Sequence, residues 1–229
     1  EALSTEDAAG KNVAVGFKSL QNQNADAHAY NVAVGFETGK QVTTGTLNTL
    51  VGGLAGDALT TGAYNTAIGY QALGSEDAHG FNTAVGYLAL LTQNAGSDAY
   101  NVAVGSETGK NITTGTQNTL VGANAGDALT QGSNNTALGY GALGAEDTSS
   151  YAVAIGHNAL ATQNAPSDTY NVAVGKSAGY AVTTGADNTI IGGLAGDALT
   201  TGSLNVAVGK AALGSEDTGS ANVAIGHAA

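Results

Sequence analysis

The chain has no cysteine, tryptophan, methionine or arginine, and Pro166 is its only proline. Without cysteine there is no disulfide framework, thiol nucleophile or cysteine-based metal site. All six basic residues are lysine, against 18 acidic residues, for a net charge of −12. Phosphate affinity needs clustered lysine and arginine, so no nucleic-acid partner is expected. Evenly spread negative charge keeps a long particle soluble, and an anionic membrane surface would repel it. No apolar run approaches the roughly 20 residues that cross a bilayer as a helix, so no membrane insertion is expected either. Aromatic residues are 5 % of the chain and glycines number 35. The remaining apolar content is mostly alanine, valine and leucine, which suits thin regular layers better than a thick core.

What is present is a motif, Asn-(Val/Thr)-Ala-(Val/Ile)-Gly, that returns along the whole chain. It starts at Asn12, Asn31, Asn48, Asn65, Asn82, Asn101, Asn118, Asn135, Ala152, Asn171, Asn188, Asn205 and Asn222. The steps run 19, 17, 17, 17 and repeat, which makes a 70-residue super-repeat starting near 12, 82 and 152. A period of this kind denotes an array of stacked units. The chain therefore reads as one repeat array over 1–229, with partial coils at 1–11 and 222–229. Such ends suit an excerpt of a longer array, or units that assemble end to end as a filament.

Numbered from its Asn, each unit alternates over positions 2 to 4 and has Gly at position 5, the pattern of a short strand followed by a bend. Seventeen residues cannot enclose a core alone. Stacked at about 4.8 Å they form continuous columns, so the expected fold is all-β, a parallel β-solenoid or β-roll of about 13 coils. The larger apolar side chains at position 4 are expected to fill the interior: Val15, Val34, Val51, Ile68, Val85, Val104, Val121, Leu138, Ile155, Val174, Ile191, Val208 and Ile225. On that reading Val121→Asp breaks the stack. Position 3, alanine or Leu50, Leu120 and Ile190, then faces outward as an uncharged stripe, and a large exposed apolar stripe marks an interface. Self-association about a threefold axis is the expectation.

The Asn at position 1 (Asn12, Asn31, Asn48, Asn65, Asn82, Asn101, Asn118, Asn135, Asn171, Asn188, Asn205 and Asn222) reads as a hydrogen-bonded ladder between layers, interrupted once by Ala152. Each group of four coils holds four types. The first carries two extra residues, read as a larger turn displayed every fourth layer. The second and third carry Thr-rich turns, and the fourth carries Glu-Asp.

Acidic residues recur in register: Asp57, Asp127 and Asp197; Glu76-Asp77, Glu146-Asp147 and Glu216-Asp217; and Asp26, Asp98 and Asp168. Oxygen ligands of this kind could hold calcium, but no repeat matches the nonapeptide calcium-binding signature, so solvated turns are the expected reading and no cofactor is assigned. Glycosidase chemistry needs two carboxyls across a cleft. Here the pairs are sequence neighbours in repeated contexts, so no catalytic residue and no enzyme activity are expected. His28 and His79 stand isolated in turns, while His157 and His227 are equivalent. Threonine pairs such as Thr43-Thr44 hint at an ice-binding solenoid, yet their column is broken in two coils of every four. A row of Tyr and Phe on either side of the motif could pack a corner or grip sugar rings.

The strings NTAIGYQAL (Asn65 to Leu73), NTAVGYLAL (Asn82 to Leu90) and NTALGYGAL (Asn135 to Leu143) resemble the β-roll head repeats of trimeric autotransporter adhesins. They are still more similar to the Asn-Thr-Ala-Ile-Gly repeats of bacteriophage tail fibres. The resemblance implies a homotrimeric fibre, extracellular, on a cell surface or borne on a virion, that projects or forms a receptor-binding surface. The chain departs from the adhesin heads in its longer coils and its strict group of four. The functional expectation is a structural shaft whose partner is itself, with a glycan- or receptor-binding adhesin module as the alternative.

Overall fold

A computed structural model describes residues 2–4, 10–25 and 28–229. Glu6 and Asp7 of the first partial coil, and Asp26, lie outside the described residues. The chain forms two compact units, residues 1–116 and 117–229. The first holds β1 (Val13–Val15), β2 (Val32–Val34), β3 (Thr49–Val51), β4 (Thr66–Ile68), β5 (Thr83–Val85) and β6 (Val102–Val104). The second holds β7 (Thr119–Val121), β8 (Thr136–Leu138), β9 (Val153–Ile155), β10 (Val172–Val174), β11 (Thr189–Ile191), β12 (Val206–Val208) and β13 (Val223–Ile225). Each strand covers positions 2 to 4 of its coil and, within its unit, pairs in parallel with the next in chain order, as in Val32↔Thr49 and Thr189↔Val206. Each unit is a parallel β-solenoid, the fold class that the spacing predicts.

Three residues per strand would be too few for a free-standing sheet. The stack succeeds because the backbone bonds continue beyond the strands. Position 2 donates to the carbonyl of the next coil's Asn, as Val32 to Asn48 at 2.8 Å, and position 5 donates to the previous coil, as Gly52 to Val34 at 2.8 Å. The far side of the coil repeats the arrangement, with the Thr43 N–H on Thr60 and the Thr183 N–H on Thr200, both at 2.9 Å. The 19-residue coils keep this register because their additional length lies in exposed turns at 96–98 and 166–168. The larger turn is thus displayed as the sequence suggests.

Glycine at position 5 has a specific cause. Gly122 has φ 131°, and a Cβ on it would lie 2.6 Å from the Gly139 carbonyl oxygen of the next coil. Both facts exclude any other residue without local rearrangement.

The faces of the strand are the reverse of the expectation. Position 3 is the interior column: Leu50, Leu120, Ile190 and alanines from Ala33 to Ala207 are fully or almost fully buried. The position-4 residues Val15, Val34, Val51, Ile68, Val85, Val104, Val121, Leu138, Ile155, Val174, Ile191, Val208 and Ile225 are half-buried or exposed on the outer face, Leu138 at 46 % and Val15 at 56 %. Side chains two apart share a face. The buried Asn at position 1 therefore carries position 3 inward with it, and Thr or Val at position 2 goes outward with position 4.

Size explains why the small residue lies inside. The interior is a thin slot between position 3 on the strand and positions 9 and 12 on the opposite wall. Coil types one and four combine Ala at position 3 with Leu at position 9, such as Ala67 with Leu73. Types two and three carry Gly at position 9, and the third fills the space from the other side with Leu or Ile at position 3. Leu50 spans both neighbours: a Cβ on Gly39 would meet its Cδ1 at 2.7 Å, and one on Gly56 its Cδ2 at 2.9 Å. Val121→Asp therefore lands on a half-exposed position, and Leu120→Asp is the substitution that strikes the core.

Candidate functional site

The Asn at position 1 binds two coils at once. Its Oδ1 accepts the backbone N–H at position 1 of the following coil: Asn12 from Asn31 at 2.7 Å, Asn31 from Asn48 at 2.8 Å, Asn48 from Asn65 at 2.9 Å, Asn65 from Asn82 at 3.0 Å and Asn82 from Asn101 at 3.2 Å. In the second unit Asn118 accepts from Asn135 and Asn135 from Ala152, both at 2.9 Å. Asn171 accepts from Asn188 at 2.8 Å, Asn188 from Asn205 at 3.0 Å and Asn205 from Asn222 at 2.9 Å. The Nδ2 of the same carboxamide closes its own coil on the carbonyl fourteen residues on, as Asn48 to Gly62 at 2.8 Å and Asn188 to Gly202 at 2.9 Å. The ladder thus runs mainly from side chain to backbone.

The 19-residue coil that starts at Asn82 is the exception, and it accounts for Ala152. Fourteen residues beyond Asn82 stands Gly96, which is exposed in the longer turn, and the Asn82 Nδ2 is buried without a partner. An alanine at the equivalent position 152 has no such group to satisfy. The same longer coils contribute a buried Gln that their sequence alone places in the displayed turn. Gln23, Gln93 and Gln163 Oε1 accept from Asn31, Asn101 and Asn171 Nδ2 at 2.7, 2.6 and 2.8 Å.

Those glutamines lie at position 12, and their column continues Val42, Leu59, Glu76 and then Gln93, Ile112, Leu129, Glu146. Glu76 and Glu146 are fully buried, so the reading of Glu-Asp as solvated turns fails for their Glu members. The sequence signal was their place in the same column as Val42 and Leu59. Glu146 is fully partnered: Oε1 accepts the N–H of Asp147 at 3.1 Å and of Ser149 at 2.9 Å, and Oε2 accepts Gln163 Nε2 at 2.9 Å. Glu76 is less well served. Its Oε1 accepts the His79 N–H at 3.2 Å and lies 3.4 Å from His79 Nδ1, while Oε2 is buried with no partner. Burial holds the Glu76 carboxyl above the usual range, opposed by the His79 N–H and ring.

The other acidic residues do structural work at the turns. Asp98 Oδ1 accepts the Gly80 N–H at 3.0 Å and Asp168 Oδ1 accepts the Ser150 N–H at 3.2 Å, so the longer turn caps the preceding coil. Threonine hydroxyls of the Thr-rich turns donate to the next coil, as Thr60 Oγ1 to the Asp77 carbonyl at 2.7 Å. Among the described residues, Glu76, Asp77 and His79 form the group of metal-capable side chains whose ligand atoms lie within 4.8 Å of one another. His157 stacks on Tyr140, and His28 meets Tyr30 edge-on.

Positions 2 and 4 make an outer face of Val, Thr, Ile and Leu, flanked by two exposed aromatic rows. Before the motif stand Tyr30, Tyr64, Phe81 and Tyr100 in the first unit and Tyr151 and Tyr170 in the second; after its Gly stand Phe17, Phe36, Tyr70 and Tyr87 in the first unit and Tyr140 in the second. The rings stack between layers, Tyr64 on Phe81 at 4.8 Å, Phe81 on Tyr100 at 5.0 Å and Tyr151 on Tyr170 at 5.2 Å. Each residue of the first row has a positive φ, from 50° at Tyr170 to 64° at Tyr151. That backbone disfavours a bulky residue, so this row is held by stacking and by the turn. Among the described residues no helix is long and apolar enough to cross a membrane.

Comparison of the chain with protein-family models, with curated proteins and with solved structures yields no match in any of the three.

Proposed function

We propose that this chain is the shaft of an extracellular, cell-surface or virion fibre, that it associates with copies of itself and that it catalyses no reaction. The observation that supports this most is the outer face of positions 2 and 4. It is mostly apolar, with Val, Ile or Leu at position 4 of every coil and Val or Thr at position 2, and exposed aromatic residues border it on both sides. Contiguous apolar surface on a soluble protein marks an interaction site. The stripe at position 3, which the sequence alone offers for self-association, is buried in the chain's own interior and cannot serve. The exposed face transfers that role to positions 2 and 4. A homotrimer is the assembly implied by the repeat resemblance.

A carbohydrate- or receptor-binding module is the second reading, and the aromatic rows favour it. Yet a sugar packs on a ring face, and most of these rings turn their faces toward one another. Self-association is the better use of the same surface.

Light scattering coupled to size-exclusion chromatography tests the proposal. The expected mass is a multiple of the 22.2 kDa chain, three for a trimer. Ile68→Glu with Leu138→Glu, both on the outer face, should release monomers whose circular dichroism is unchanged. A monomer of the unmodified chain at tens of micromolar would sink the reading.

A further inference from the structure

We propose that Glu76, Asp77 and His79 bind one zinc-like divalent transition-metal ion per chain. The proposal is independent of the fibre reading. Three observations carry it. The first is the donor set: two carboxylates and an imidazole whose ligand atoms lie within 4.8 Å of one another. Imidazole with carboxylate suits zinc, whereas calcium takes oxygen ligands alone. A tetrahedral zinc site with bonds of about 2.1 Å has ligand–ligand edges of about 3.4 Å. Glu76 Oε1 and His79 Nδ1 are 3.4 Å apart.

The second observation is that both of these side chains hold unused acceptors away from solvent. Glu76 is fully buried and its Oε2 has no partner, and His79 Nδ1 is buried with no hydrogen bond. Buried polar atoms are nearly always satisfied, and an exception calls for an unseen partner. Asp77 is exposed beside them, which gives an ion a way in.

The third is an internal control written into the repeat. Glu146-Asp147 and Glu216-Asp217 occupy the same register, but Ser149 and Gly219 stand where His79 stands. Oε1 accepts the backbone N–H three residues on in all three turns, Glu76 from His79 at 3.2 Å, Glu146 from Ser149 at 2.9 Å and Glu216 from Gly219 at 2.7 Å, so the imidazole is what sets the first apart. Gln163 occupies Glu146 Oε2 as well. Of these three equivalent turns, only the first pairs the buried carboxylate with a nitrogen ligand.

The test is titration of the chelator-treated full chain with Zn2+, followed by calorimetry and by thermal unfolding. One ion should bind per chain and raise the melting temperature. His79→Ser copies the arrangement that the chain already tolerates at Ser149, so it should fold, and it should weaken zinc binding by at least about tenfold. Asp77→Asn, on the exposed rim, should weaken it with circular dichroism unchanged. Substituted Co2+ should give the intense visible absorption of a tetrahedral site with the unmodified chain and lose it with His79→Ser. Zinc uptake that is absent, or equal in the unmodified chain and in His79→Ser, would overturn the proposal.

Discussion

At the scale of single residues, the position-1 asparagines show that one side chain can have different worth in successive layers. Asn48 makes two satisfied bonds, to the Asn65 N–H at 2.9 Å and to the Gly62 carbonyl at 2.8 Å. Asn82 Oδ1 accepts the Asn101 N–H, but its Nδ2 is buried without a partner. Leaving a buried group unsatisfied costs about 1–3 kcal/mol. Asn48→Ala should therefore lower stability by about that amount, and Asn82→Ala by clearly less, because it also removes an orphan donor. Denaturant unfolding of the two variants side by side measures the difference. Titration follows the same local logic. The Asp57 carboxyl is held above the usual aspartate range by burial, with the Glu37 charge adding to it. A carboxyl raised in the folded state gives its full contribution below about pH 3.9, and that contribution is lost as pH climbs through the raised value. Asp57→Asn should accordingly raise the melting temperature near neutral pH and lose that advantage in acid, which a melting series across pH reports. Glu37 has the opposite sign: Lys40, at 3.2 Å, holds its carboxyl below the usual range, so its contribution vanishes as pH falls.

At the scale of the coil, the core is an exchange of volume between two columns. Type three carries bulk at position 3 and none at position 9; types one and four do the reverse. Leu50→Ala should cost about 2–5 kcal/mol by opening a cavity. Gly56→Leu should cost about 1–3 kcal/mol by overpacking against Leu50 and Leu59. The double variant rebuilds the pattern of Ala67 with Leu73, so its cost should fall below the sum of the two, a coupling that a double-mutant cycle reads directly. Leucine at position 9 already adopts the required backbone elsewhere, as Leu73 with φ 53° against 56° at Gly56.

This exchange also marks what the sequence made legible. The spacing of the motif places every strand correctly, because pairing in a stack follows from repetition alone. Which side faces inward does not follow from apolar content, since valine outranks alanine on any such scale. The deciding signal was relational: Leu or Ile appears at position 3 only in a coil with Gly at position 9, and Glu76 shares a column with Val42 and Leu59. Those pairings are written in the residue order itself, and they become readable once the interior is pictured as a slot of fixed width. The contact of Glu76 with His79 depends on how one turn folds back on itself, and three residues of sequence separation do not reveal it.

At the scale of the molecule, a net charge of −12 sets the conditions under which copies would meet on the proposed self-association. Like-charged chains repel over roughly 10 Å at 0.1 M salt, and salt shortens that range. Burial of the outer apolar face is far less screened. Association should therefore strengthen as salt is raised, and light scattering across a salt series checks it; weakening with salt would point to charge pairing between chains instead.

The two extra residues in every first-type coil leave the register untouched, and this gives the protein a property under tension. Within each unit a coil is tied to its neighbours by bonds across a single layer, so force applied along the chain would strip the layers of a unit in turn. A released coil of 17 residues yields at most about 56–61 Å of length, and one of 19 residues about 63–68 Å. The extension record would then carry the arrangement of the repeat as three shorter steps and one longer one, and the chain would lengthen under load by increments fixed in its sequence.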